Sequence, residues 1–150
     1  MIPESRLIRS ELTIRELALP DDVLLARKSL VRWLALSLGM ILPNESRRLL
    51  LDILEVLFEF HVKGESPTTK HIISRLEEAT KGKQNPKAVY YHLQRLKTLG
   101  VLCRKKGRYT LGEGDGRSLR EIFRGFYMRK ADAAFSNIDR ALEKLEHSYR

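Results

Sequence analysis

The chain has 150 residues, of which 43% are hydrophobic and 31% charged, and this predicts one domain of ordinary size or a small domain with added helices. Its formal net charge of +9 favours an anionic partner. Cys103 is the only cysteine, which excludes an intrachain disulfide framework and a zinc site built from the cysteines of one chain. No signal-peptide pattern is visible and the most apolar run, Trp33–Leu42, is too short to span a bilayer, so we expect a cytoplasmic protein without a membrane partner.

Residues 1–43 predict an N-terminal helical extension. The alternation in Glu11–Arg15 fits a short strand, and Ser10–Leu17 fits one or two helical turns equally well. Pro20-Asp21-Asp22 predicts the start of a helix that runs to about Leu38 and stops at Gly39. That helix is apolar on more than one side, which favours a core helix of the same domain over a dimer contact.

Residues 44–112 predict the main domain, which begins with two helices. Asn44-Glu45-Ser46 opens the first helix, which reaches about Val62. The second helix covers Thr69–Thr80 and is capped by Ser66 or Thr68. A helix, a short turn and a second helix follow the plan of a helix-turn-helix.

The stretch from Asn85 to Gly100 predicts a third helix with two contrasting faces. Asn85 suits the N-cap, Pro86 the first position and Gly100 the left-handed residue beyond the end. At 100° per residue the aliphatic side chains fall on one side, and the opposite side is cationic, aromatic and hydrogen-bonding without a carboxylate. A helix that lies against a nucleic-acid groove needs such a face. Its members are Lys87, Tyr91, Gln94 and Thr98, flanked by Tyr90, Arg95 and Lys97.

Two short strands, Val101–Arg104 and Tyr109–Leu111, follow this helix, and Gly107 permits the tight turn between them. Taken alone, the basic turn of this hairpin would be interpreted as a solvated loop. Because it follows a helix without acidic residues, we favour contact between its cations and phosphate groups. From Ala79 to Gly112 the chain has no acid, and the rest of the chain has 19 basic and 19 acidic residues that cancel. The cations of this acid-free stretch are Lys81, Lys83, Lys87, Arg95, Lys97, Arg104, Lys105, Lys106 and Arg108.

The run from Val89 to Leu102 resembles the recognition helix and wing entry of winged helix-turn-helix regulators of the ArsR/PadR kind, and the resemblance covers about residues 44–112. It implies a mostly α fold with a small β-hairpin wing: a winged helix-turn-helix with extra N- and C-terminal helices. It also implies binding of double-stranded DNA, in which Tyr91, Gln94 and Thr98 face base edges. The candidate DNA-binding residues are Lys83, Lys87, Tyr90, Tyr91, Gln94, Arg95, Lys97, Thr98, Arg104, Lys105, Lys106 and Arg108.

After a glycine-rich link at 112–116, residues 117–150 predict one long C-terminal helix. Its apolar residues are spaced alternately by four and three, as in a coiled coil. The helix either packs on its own domain, against Val23–Leu38, or pairs with the same helix of another subunit. We favour a homodimer because a protein that binds a DNA groove gains affinity when two linked subunits contact two half-sites. The candidate dimerisation residues are Tyr127, Ala131, Ala134, Phe135, Ile138, Ala141, Leu142 and Leu145.

The sequence has no phosphate-binding glycine loop and no motif of paired metal ligands. Asp139, Glu143 and His147 lie on successive helical turns and fit a metal site across a dimer, but a solvated helix face explains them better. We therefore predict no metal, no cofactor and no enzymatic activity, and the sequence does not identify a small-molecule effector. The leading hypothesis is a transcriptional regulator, and the alternative is a winged-helix module for protein interaction or RNA binding.

Overall fold

The computed structural model describes residues 1–150 and is mostly helical, with one small antiparallel hairpin, as the sequence predicts. A 3₁₀ turn at Pro3–Leu7 opens the chain. No helix combines the length and the apolar character that crossing a bilayer requires. The helices and strands are α1 (Asp21–Leu24), α2 (Arg27–Ser37), α3 (Arg48–Val62), α4 (Thr69–Thr80), α5 (Pro86–Leu99), β1 (Leu102–Lys105), β2 (Arg108–Leu111) and α6 (Leu119–Ser148).

Helix α3 is the centre of the core. Its apolar residues recur at helical spacing, so Leu50, Ile53, Leu54 and Leu57 all face inward and are buried. Helices α2, α4 and α5 and strand β2 all pack against it. This arrangement holds α5 with its aliphatic side inward, so its polar side must face outward.

Local signals set the ends of α4 and α5 as predicted. The Thr68 hydroxyl accepts from the backbone N–H of His71, and the His71 ring accepts from the N–H of Thr68, which makes a reciprocal cap. Asn85 Oδ1 accepts from the N–H of Lys87 at 3.0 Å, and Gly100 ends α5 with a φ of 102°.

The hairpin pairs Leu102 with Leu111 and Lys105 with Arg108. Lys106 and Gly107 have φ values of 52° and 77°, so the turn between the strands contains only these two residues, both in the left-handed region. The N–H of Tyr109 donates to the carbonyl of Pro67 at 2.8 Å. This bond ties the segment before α4 to the outer edge of β2.

The N-terminal region differs from the prediction. The expected continuous helix from Asp22 to Leu38 is wrong, because Ala26 has extended backbone angles and separates α1 from α2. Ala26 serves as the N-cap of α2, and its carbonyl accepts from the N–H of Leu30 at 2.8 Å. Leu25, at the break, is 84% exposed, so no core contact holds a longer helix together there.

Residues 10–17 form neither the strand nor the helical turns that their sequence predicts. They run along the end of α2, where the N–H of Arg15 donates to the carbonyl of Ser37 and the Ser37 hydroxyl donates back to the carbonyl of Arg15, both at 2.7 Å. The Arg15 guanidinium also donates to the carbonyls of Leu36 and Ile41. The backbone and side chain of Arg15 therefore bind carbonyl groups at the end of α2 and just beyond it.

The start of α3 is also later than expected. Residues 42–45 form a turn in which a Glu45 carboxylate oxygen accepts from the N–H of Leu42 at 2.9 Å, and Arg48 is the first helical residue. Near the other end of α3, Nε2 of the half-buried His61 lies 2.7 Å from the carbonyl of Arg117. This contact positions the link that leads into α6.

Helix α6 has two halves with different surroundings. In the first half, Ile122, Phe123 and Tyr127 are buried in the core, and Phe58 meets Phe123 edge to face at 5.9 Å. From Asp132 onward every residue is exposed. We call residues 132–148 the distal half of α6. The first half of the helix therefore packs on the chain itself, whereas the distal half packs on nothing within the chain.

Candidate nucleic-acid interface

The outward face of α5 presents most of the predicted contact residues to solvent. Val89, Leu93 and Leu96 are buried on the inner side, whereas Tyr91 is 58% exposed and Tyr90 42% exposed. We call the outer residues the α5 face. Lys87, Tyr90, Tyr91, Gln94, Arg95 and Thr98 are its exposed members, and Lys97 is half-buried at its edge.

Tyr91 and Arg95 form one contiguous surface on this face. The Arg95 guanidinium lies 6.0 Å from the centre of the Tyr91 ring, one helical turn away. The His92 ring meets Tyr91 edge to face, with centroids 5.4 Å apart. Because Arg95 pairs with an aromatic face and not with a carboxylate, its guanidinium keeps all five N–H donors for another partner.

The turn before α3 reaches this surface, which the sequence did not indicate. Arg47 and Glu45 form an ion pair at 2.6 Å, and the pKa of Glu45 is lowered by the hydrogen bond from Arg47, by the N–H of Leu42 and by the nearby charges of Arg47 and Arg95. Glu45 is therefore a carboxylate close enough to Arg95 to feel its charge, and Arg47 neutralises it. Some forty residues of chain separate these groups from α5, so no local pattern links them.

His92 adds no charge to the face at neutral pH. Its pKa is lowered, first by burial and then by the positive charges of Arg95 and Arg47. Its Nδ1 is buried and has no hydrogen-bond partner. The imidazole thus acts as a packing group between the core and the α5 face.

The structure divides the four predicted cations of the hairpin into two pairs. Lys105 and Lys106 are exposed at its tip, and no intrachain hydrogen bond or ion pair holds their ammonium groups. Arg104 is also exposed, but its guanidinium covers the ring of Tyr109 at 5.2 Å. Arg108 donates to the carbonyl of Ser66 at 2.9 Å. Lys105 and Lys106 are therefore the hairpin cations most available to an external anion.

No cation between Lys81 and Arg108 has a carboxylate within 4.0 Å, so the predicted contact cations, with Lys83 among them, are uncompensated within the chain. The ion pairs of the protein lie elsewhere, on Arg47, Lys63, Arg75 and Arg117. Glu77, near the end of α4, accepts from the backbone N–H of Gln84 at 3.1 Å. Its carboxylate therefore serves the turn between α4 and α5.

The predicted dimerisation residues lie on α6, and the structure corrects one of them. Tyr127 is 4% exposed and donates from its hydroxyl to the carbonyl of Leu38 at 2.7 Å, so it belongs to the core of its own chain. Ala131 is half-buried where the helix leaves the core. Ala134, Phe135, Ile138, Ala141, Leu142 and Leu145 are exposed.

No three His, Cys, Asp or Glu side chains come together where they could hold a metal ion, and Asp139, Glu143 and His147 form no such group within one chain. No model of a known protein family matches the chain, and no curated protein does either.

Proposed function

We propose that the chain binds double-stranded DNA through a winged helix-turn-helix formed by residues 44–112, and that it regulates transcription as a homodimer. One observation carries the proposal. The α5 face and the hairpin tip together present uncompensated cations, exposed tyrosines and a glutamine, while the aliphatic side of α5 is buried. Such a surface suits phosphates and base edges.

The order of elements supports the winged-helix reading. Helix α3, an extended segment that bonds to β2 through Pro67 and Tyr109, helix α4, helix α5 and the hairpin follow one another along the chain. In this arrangement α5 would enter the major groove, and the hairpin would lie over the adjacent backbone as a wing. The likeness to ArsR/PadR-type regulators is part of the same proposal.

Each group then has a role. Tyr91, Gln94 and Thr98 face base edges, and a glutamine amide can bond to both N6 and N7 of adenine. Lys87, Arg95 and Lys97 hold phosphates beside the helix, and Lys105 and Lys106 hold phosphates under the hairpin. Tyr90, Lys83, Arg104 and Arg108 lie at the margins of this contact.

The experiment is binding of the full chain to a labelled DNA duplex over a range of salt concentrations, with duplex RNA in parallel. If about four to six phosphates are contacted per subunit, log Kd should rise with log salt with a slope of about 0.9 per phosphate. A nearly flat dependence would favour a protein-interaction module, and equal or tighter binding of the RNA duplex would favour shape reading of RNA.

A further inference from the structure

The distal half of α6 carries an apolar stripe that nothing in the chain covers. Its large side chains are about half exposed: Phe135 52%, Ile138 43%, Leu142 52% and Leu145 49%, with Met128 at 50% just before them. Helices in water depend on packing of an amphipathic face, because an isolated helix of this length is only marginally stable. A covering partner is therefore expected.

The spacing of the stripe identifies the geometry of that partner. Intervals of three and four alternate without a break, which is the pattern of a two-helix coiled coil. This seam differs from the one expected from sequence, because Tyr127 is now assigned to the core and Ala134 and Ala141 lie beside the seam. The seam residues are Met128, Ala131, Phe135, Ile138, Leu142, Leu145 and Tyr149.

The two flanks of the stripe carry different charges. Asp132, Asp139 and Glu146 each follow a seam residue directly and form an acidic row on one flank. The other flank has the small residues Ala134 and Ala141, with lysines outside them at positions 130 and 144. None of these charged groups forms an ion pair within the chain.

From this charge pattern we infer that a second copy of the chain covers the stripe, in a parallel and in-register coiled coil. In a parallel pair, the acidic flank of one helix faces the opposite flank of its partner, which is small and backed by lysines. In an antiparallel pair, the two acidic rows would face each other and repel. The inference deepens the homodimer part of the proposed function and places both α5 faces at the same end of the assembly.

Substitution of Ala141 tests the orientation. In a parallel pair position 141 lies opposite Glu146 of the partner subunit, so Ala141→Lys should lower the dimer Kd and Ala141→Glu should raise it, by about twofold each at low salt. In an antiparallel pair the row that contains position 141 faces the same row of the partner, which carries small residues and no carboxylate, so Ala141→Lys should not strengthen the dimer. That second result would overturn the parallel arrangement. Both replacements have good helix propensity, which makes the two variants matched controls.

Disulfide trapping gives an independent readout. In a Cys103→Ser background, Phe135→Cys and Leu142→Cys are made separately and oxidised. A parallel in-register pair brings each position against its own counterpart, so both variants should crosslink, and Arg140→Cys on the far side of the helix should not. Crosslinking at only one seam position would indicate an antiparallel pair and overturn the inference.

Assembly itself is measured by light scattering without DNA, so its failure is distinct from failure of DNA binding. The wild type should be dimeric at tens of micromolar, and Ile138→Asp should be monomeric with its α-helical circular dichroism and thermal transition largely retained, because the distal half makes no core contacts. A monomeric wild type would overturn the inference and leave DNA binding by the α5 face standing.

Discussion

Gly100, which ends α5, lies directly against the ring of Phe126 in α6: a β-carbon on Gly100 would be 2.7 Å from Cε2 of that ring. The φ of Gly100 is 102°, which L side chains rarely adopt. Position 100 therefore requires glycine for two reasons, its positive φ and the lack of space for a β-carbon. Through this contact the end of the proposed DNA-reading helix is fixed against the helix that we propose joins two subunits.

Gly100→Ala should lower the free energy of unfolding by about 2–4 kcal/mol, because backbone strain and displacement of the Phe126 ring add together. Gly64→Ala is the matched control. Gly64 also has a positive φ, 73°, but no atom within 4 Å of a new β-carbon, so it should lose only the strain contribution of about 1 kcal/mol. Urea titrations measure the unfolding free energy of both variants. Equal losses would mean that the Phe126 ring moves away from a new β-carbon at no cost in free energy.

Tyr127→Phe should destabilise the protein by about 0.5–1.5 kcal/mol at neutral pH, because it leaves the carbonyl of Leu38 without its donor. Burial raises the pKa of Tyr127 to about 12 from 10.0. An unfolded tyrosine therefore loses its proton at a lower pH than the folded one, and stability present below pH 10 should decline between pH 10 and 12.

The measurement for Tyr127 is the difference in unfolding free energy between wild type and Tyr127→Phe from pH 7 to 11.5. Subtraction removes the titration of other tyrosines and lysines, which both proteins share. The difference should shrink above pH 10. A constant difference over the whole range would show that the hydroxyl ionises as easily in the folded state as in the unfolded state.

Arg15→Ala should free residues 1–14 from the body of the protein. The side chain donates to the carbonyl of Leu36 in α2 and to that of Ile41 beyond it, and a charged donor of this kind contributes about 1.5–3 kcal/mol. Limited proteolysis should cut the variant within residues 1–14 faster than the wild type. Arg6→Ala, on an exposed residue that makes none of these contacts, is the control, and equal cleavage rates in all three proteins would contradict the anchoring role.

Helix α5 and the hairpin were predictable because short-range signals specify them. Asn85, Pro86 and Gly100 set the limits of α5, and its apolar spacing sets which side is buried. Gly107 sets the turn of the hairpin. The buried and exposed sides of α5 therefore followed from sequence, and most of the candidate site with them.

Contacts between distant residues were not predictable. The pairing of Arg15 with Ser37 and the approach of Arg47 to α5 join residues more than twenty positions apart, and neither leaves a periodic pattern. Tyr127 shows a subtler limit. It lies four residues before Ala131 and seven before Ala134, so spacing alone groups it with the residues of the distal half, and only the structure reveals that it belongs to the core. The break at Ala26 likewise falls inside an apolar run that reads as one helix.

The final prediction separates reading of bases from binding of phosphates, and it depends on the proposed function. Lys106→Ala removes a free cation from the hairpin tip and should weaken binding to every duplex alike, with the salt slope falling by about one. Gln94→Ala removes an amide from the middle of the α5 face. It should reduce discrimination at one base pair by about 1–3 kcal/mol and leave the salt slope unchanged.

Both variants are measured by fluorescence anisotropy on the preferred duplex, on single-base variants of it and on a random duplex. Lys28→Ala, which removes an exposed cation from α2, is the control and should change none of these affinities. If Gln94→Ala lost the same affinity on specific and random DNA, the α5 face would not read bases. If Lys106→Ala behaved like Lys28→Ala, the hairpin would not contact the DNA backbone, and α5 alone would carry the binding.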